Sequence, residues 1–191
     1  MTTAEAQRDM RTAYLSGAPG MFASALAWAV AGVIAFRAST ADAVWALFAG
    51  GMLIHPVGVL LCKALGRTGK HSKTNPLAAL AAENTVWLIF SLPVAYAVSI
   101  ANIQWFFPAM LLIIGGRFFT FHSVYGLRTY WVCGGVLALA AYLLAASKTQ
   151  PHISAFAGAA IESTFAVVIA FSARREVRSN PSFNGTPNGA R

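Results

Sequence analysis

ISAFAGAAIESTFAVVIAFSA, Ile153 to Ala173, is an unbroken apolar run that contains a single charge, Glu162. A helix of about 20 residues rises roughly 30 Å, the depth of the hydrocarbon core of a bilayer, so a run of this length reads as a membrane span. A barrel strand would instead alternate and cross with about 10 residues. Five more stretches have the same character, over 14–36, 43–65, 76–100, 105–125 and 130–146. The expected fold is an all-α, six-transmembrane-helix bundle. It forms a single integral membrane domain over 1–179, followed by an Asn-, Gly- and Pro-rich tail over 180–191 that is expected to be disordered.

The composition of the whole chain agrees. Of 191 residues, 57% are apolar and only 10% charged, and the mean hydropathy is +0.60. A soluble domain carries about a quarter charged residues. That deficit excludes a water-soluble globule, a disordered chain and a coiled coil, and 2 cysteines exclude a disulfide scaffold. Cys62 and Cys133 are expected as free thiols that pack like small apolar groups. The apolar run that follows Arg8 and Arg11 is longer than the 7–15 residues of a signal-peptide core, so it is expected to stay as the first span. Most connections are short. Only 66–75 (GRTGKHSKTN) forms a sizeable loop, and Pro76 after it suits a helix start.

Lys and Arg set the expected orientation. With six spans and an inside N-terminus, eleven basic residues fall inside and two, Arg37 and Lys148, fall outside, while Arg117 lies within a span. The chain is therefore expected in the cell inner (plasma) membrane with both termini cytoplasmic. An excess of 8 positive charges in so apolar a chain points to the anionic lipid surface and not to nucleic acid. The lipid bilayer is the expected partner, a homodimer is compatible with the sequence, and no cofactor is expected. Thr2 to Thr12 is read as a short amphipathic segment on the inner surface, and Gly17-Ala18-Pro19-Gly20 as a break near the start of the first span.

Charges inside a span cost from about 2.5 to more than 10 kcal/mol and need a reason. Counting along the helices places His55, Glu83 and Arg117 at one depth, about 10–12 Å from the inner boundary, and Glu162 about 14 Å from the outer one. The expected site is thus His55, Glu83, Asn84, Arg117 and Glu162. Glu83 and Arg117 are expected to form an ion pair. Glu162 has no evident cation and is the candidate for a neutral, proton-exchanging acid. Asn84, Ser163 and Thr164 are expected to hydrogen-bond around the carboxylates. His55 precedes Pro56, which cannot donate to the Met52 carbonyl and should kink its helix. The Gly50-Gly51, Gly115-Gly116 and Gly134-Gly135 pairs should let helices approach closely.

Ala82-Glu83-Asn84-Thr85 in the third span resembles Ile161-Glu162-Ser163-Thr164 in the sixth, 79 residues on. Weaker echoes link the second span with the fifth and the first with the fourth. Two three-helix halves follow, and because three is odd the second would be inverted in the membrane.

Three runs, AQRDMRTAYLSGAPG from Ala6, GGMLIHPVGVLLCKALGRTGKHSKTNPLAALAAENT from Gly50 and FFPAMLLIIGGRFFTFHSVYGLRTYW from Phe106, resemble a family of small bacterial multi-pass membrane proteins without assigned activity. The resemblance implies one membrane domain and brings no catalytic or binding residue with it. No G-x-S-x-G, H-E-x-x-H, P-loop or Rossmann fingerprint is present, nor a Cys/His cluster for zinc. The absence of a nucleophile–base set makes an intramembrane enzyme the least favoured class. The leading expectation is a small-solute or proton-coupled transporter or channel built around the polar cluster. The alternative is a structural or accessory protein whose polar residues only fix helix packing.

Overall fold

The computed structural model describes residues 1–179, and the expected tail over 180–191 lies outside them. Seven helices follow in order: α1 (Thr3–Tyr14), α2 (Ala18–Arg37), α3 (Thr40–Ala64), α4 (Leu77–Ala101), α5 (Phe106–Tyr125), α6 (Arg128–Ala146) and α7 (Pro151–Ser179). No strand occurs among the described residues. Six helices are long and apolar enough to cross a membrane, the all-α architecture expected.

α1 is a separate, short polar helix. Thr2 and Glu5 close a reciprocal cap, the Thr2 hydroxyl accepting from the Glu5 N–H and the Glu5 carboxylate from the Thr2 N–H at 2.7 Å. The helix then stops abruptly. Leu15, Ser16 and Gly17 take φ of 47°, 56° and 85°, and only Gly adopts such values without steric cost. The strained turn is held by the buried Tyr130 hydroxyl, which donates to the Ser16 carbonyl at 2.7 Å. Pro19 then lies in the first turn of α2, where a missing N–H does no harm.

The six long helices form an incomplete ring in the order α3, α2, α7, α6, α5, α4. α2 packs on α3 and α7, and α5 packs on α6 and α4. Thus the first long helix of each half contacts its own second and the other half's third. The ring does not close evenly. α6 packs on α7, whereas the backbones of α3 and α4 hardly approach one another. Near the start of α3, ring contacts join it to α4 and α5, Trp45 with Tyr96 at 5.8 Å and Phe48 with Phe106 at 5.4 Å. Towards the end of α3 the two helices splay.

Glycine permits a direct backbone contact between two helices. A Cβ on Gly134 would lie 2.6 Å from the Gly115 carbonyl oxygen, so the backbones of α5 and α6 touch there. One glycine of each expected pair (Gly50, Gly115, Gly134) sits in an interface. Its neighbour (Gly51, Gly116, Gly135) meets nothing within 4 Å. Around these contacts Trp28, Phe106, Phe107, Leu111, Leu137 and Ile169 are almost wholly enclosed.

The helix ends also sort the charges. Arg8, Arg11, Lys63, Arg67, Lys70, Lys73, Arg128, Arg174 and Arg175 belong to one end of the bundle, here called the basic end. α1 covers this end. Its Gln7 donates to the Ser123 carbonyl at 2.8 Å and Arg11 to the Tyr125 carbonyl at 2.7 Å. The 65–76 loop is tied down onto α1. Ser72 N–H and Asn75 Nδ2 both donate to Asp9 Oδ2, at 2.9 and 2.7 Å, and Gly69 N–H donates to the Ala13 carbonyl at 3.0 Å.

Candidate functional site

The splay between α3 and α4 leaves a cavity of about 300 Å³ in the half of the bundle near the basic end, a size in the range of small-molecule pockets. Its walls come from α2, α3, α4 and α5, with Tyr14 of α1, His71 of the loop and Tyr130 of α6 towards the covered end. Most of the lining is apolar. The one fixed charge in the lining is Arg117 among the described residues.

Arg117 stands in the cavity wall on α5. Its Nη2 donates to Thr85 Oγ1 at 3.3 Å, and the guanidinium lies 5.1 Å from the centre of the Phe121 ring. Its Nε is buried and makes no hydrogen bond among the described residues. Asn84 braces the same turn from behind, Nδ2 donating to the Arg117 carbonyl at 3.4 Å. His55 of α3 lies on the cavity's exposed rim, across from Ala82 and Thr85 of α4.

Glu83 is not in this cavity. The sequence suggests a Glu83–Arg117 ion pair, and among the described residues none forms. Each step along a helix turns the side chain by about 100°. Ala81, Ala82 and Thr85 face the cavity and Asn84 faces α5. Glu83 is therefore turned to the outer, exposed face of α4. Equal depth was the basis for pairing them, and depth says nothing about azimuth.

Glu162 lies deeper, fully buried between α7 and α2. Its Oε1 accepts from Trp28 Nε1 at 3.1 Å. The indole reaches it because Gly158, one turn earlier on α7, has no side chain: a Cβ there would sit 2.9 Å from the Trp28 ring. The second oxygen, Oε2, has no hydrogen-bond partner among the described residues. Ser24 flanks the carboxyl group and also lines the cavity. It thus stands between Glu162 and the chamber that holds Arg117. Among the described residues Arg117 and Glu162 form no ion pair.

Of the five expected residues, His55 and Arg117 share the chamber, Asn84 supports its wall, and Glu162 adjoins it through Ser24. Glu83 stands apart. Sequence reasoning missed Ser24, Trp28, Thr85 and Phe121. Trp28 had a signal, since a lone indole N–H in an Ala- and Gly-rich stretch needs an acceptor. His71, uninformative in the sequence, shares a hydrogen bond with the Tyr14 hydroxyl at 2.9 Å. Among the described residues no group of three His, Cys, Asp or Glu side chains is placed to hold a metal ion.

The family comparison matches residues 3–172, nearly all the described chain. The chain belongs to DUF7010, a family of unknown function. No curated protein and no solved structure matches it. Membership therefore adds no chemistry to the site, and the geometry around Arg117 and Glu162 stands by itself.

Proposed function

We propose that this member of DUF7010 is a small anion-binding transporter, with Arg117 as the binding cation and Glu162 as a proton-exchanging acid coupled to it. The observation that carries this is the Arg117 guanidinium in the wall of a 300 Å³ cavity with no carboxylate paired to it. A cation kept inside a membrane span is costly, and a paired carboxylate would take up its charge. Among the described residues only a hydroxyl and an aromatic face engage it, which leaves donor capacity for an incoming oxyanion. Glu162 supplies the second element. Its carboxyl group lies beside Ser24, which also lines the chamber.

The basic end is taken as cytoplasmic, in the plasma membrane, by the positive-inside rule. A reporter fused into the 66–75 loop and detected outside the cell would reverse this.

The test is proton-linked flux in proteoliposomes, with inorganic phosphate, acetate and an alkyl phosphate as probe anions. Wild type should show anion-dependent flux that Arg117→Gln lowers at least tenfold. Glu162→Gln should remove its pH dependence while the unfolding temperature holds. No flux in wild type, together with lost stability in both variants, would favour the structural role instead.

A further inference from the structure

The lining residues that are exposed, His55, Ala82 and Thr85, all belong to α3 and α4, and an opening on that side faces the wrong way for a water-borne solute. Towards the basic end it is covered by α1 and the 65–76 loop, tied to each other through Asp9, Ala13 and the Tyr14–His71 hydrogen bond. Towards the opposite end, Trp45–Tyr96 and Phe48–Phe106 bring α3 to α4 and α5. Around the ring, α2, α7, α6 and α5 are in continuous contact. What remains is the lateral gap between α3 and α4, where His55 and Ala82 are exposed and line the chamber.

The surface beside that gap is apolar. Met52 and Leu60 on α3, and Val86 and Phe90 on α4, are 75%, 64%, 50% and 72% exposed. In a six-span bundle such a belt lies against hydrocarbon. A free inorganic anion would have to cross lipid to use this entrance, at the cost of its whole hydration shell. A molecule already resident in the bilayer would not.

We infer that the ligand is an amphiphile, an oxyanion headgroup on an apolar tail, which enters from the membrane between α3 and α4. The headgroup meets Arg117 and the His55 imidazole at the rim, and the tail stays in the gap against lipid. This rests on the anion-site reading above and narrows its substrate class. It also gives His55 a role: an imidazole at the mouth donates to the same oxyanion without adding a second fixed charge to the span. The shared chemistry is a phosphate or carboxylate, and the tail is what separates a lipid-like source from a free ion.

The test is thermal unfolding of the purified full chain in dodecyl maltoside, titrated with dodecyl phosphate, inorganic phosphate or dodecanol. Dodecyl phosphate should stabilise at concentrations at least tenfold below those that inorganic phosphate needs, and dodecanol should not stabilise. Arg117→Gln should weaken dodecyl phosphate at least tenfold. Ala82→Trp, which fills the gap from an exposed position, should weaken dodecyl phosphate at least tenfold more than inorganic phosphate, and His55→Trp fills it from the other rim. Equal potency of the two phosphates, with both Trp variants indifferent, would overturn lateral entry and leave the anion site standing. Stabilisation by dodecanol that ignores Arg117 would overturn the amphiphile assignment as adsorption of the tail alone. No stabilisation by any anion would remove the anion site itself.

Discussion

Glu83 on α4 and Glu162 on α7 occupy matching places in two similar segments and have opposite fates. Both precede a threonine that bonds back one turn, Thr85 to the Ala81 carbonyl at 3.1 Å and Thr164 to the Ala160 carbonyl at 2.8 Å. Both helices pack on the first long helix of the other half. Yet α7 meets α2 through the glutamate itself, under Trp28, whereas α4 meets α5 through the next residue, Asn84. A shift of one position is a rotation of about 100°, enough to bury one carboxyl group and expose the other. A motif in a span thus acquires its role from the helix it faces.

Four tests, using seven substitutions, sharpen or break this contrast. The largest effect is expected from Glu162→Arg, which sets a permanent charge against Trp28 in a fully enclosed place. It should cost several kcal/mol and leave little monodisperse protein after size exclusion. Glu83→Arg, on the exposed face, should purify like wild type. If both collapse alike, the two sites are not different environments.

Next is Gly134→Val. Its side chain would meet the Gly115 carbonyl oxygen, an overpacking cost of about 1–3 kcal/mol or more, while Gly135→Val beside it meets nothing. Unfolding by graded SDS addition should separate the two, and equal midpoints would contradict the α5–α6 contact. Third, Trp28→Phe leaves Glu162 without its donor and should cost about 1–3 kcal/mol in the same assay. Asn84→Ala, which removes a longer bond to a carbonyl, should cost about 1 kcal/mol or less. A reversal of that order would place the polar anchor on α4. Smallest is Glu83→Gln, for which the midpoint should not move. A clear loss would mean that the outer face of α4 is covered, as a second copy would cover it.

Much of the fold was legible because it depends on length and solvent. A run such as Ile153–Ala173 has one stable way to satisfy its backbone in hydrocarbon, as a helix. Cap and turn chemistry was partly legible too. The expected break at 17–20 falls two residues earlier at its onset, where Leu15 and Ser16 take left-handed φ, because Tyr130 from α6 holds that turn. The site was less legible. Depth along a helix can be counted, so the co-depth of His55 and Arg117 could be foreseen. Azimuth depends on which neighbour each helix selects, so the Glu83–Arg117 pair was misjudged and Trp28–Glu162 missed. The paired halves seen in the sequence have a counterpart in the alternating contacts of α2 and α5. Their inequality, a packed α6–α7 against a splayed α3–α4, has none.

The sequence by itself determined that this chain forms six apolar helices with its cations gathered at one end. Those properties follow from hydrophobic length and from charge distribution along the chain, both one-dimensional quantities. Tertiary structure alone decided which intramembrane charge is enclosed, which faces outward and which lines a chamber. The reason is rotational. Helix packing fixes each azimuth through contacts far apart in the chain, and one residue of register separates a buried carboxyl group from an exposed one.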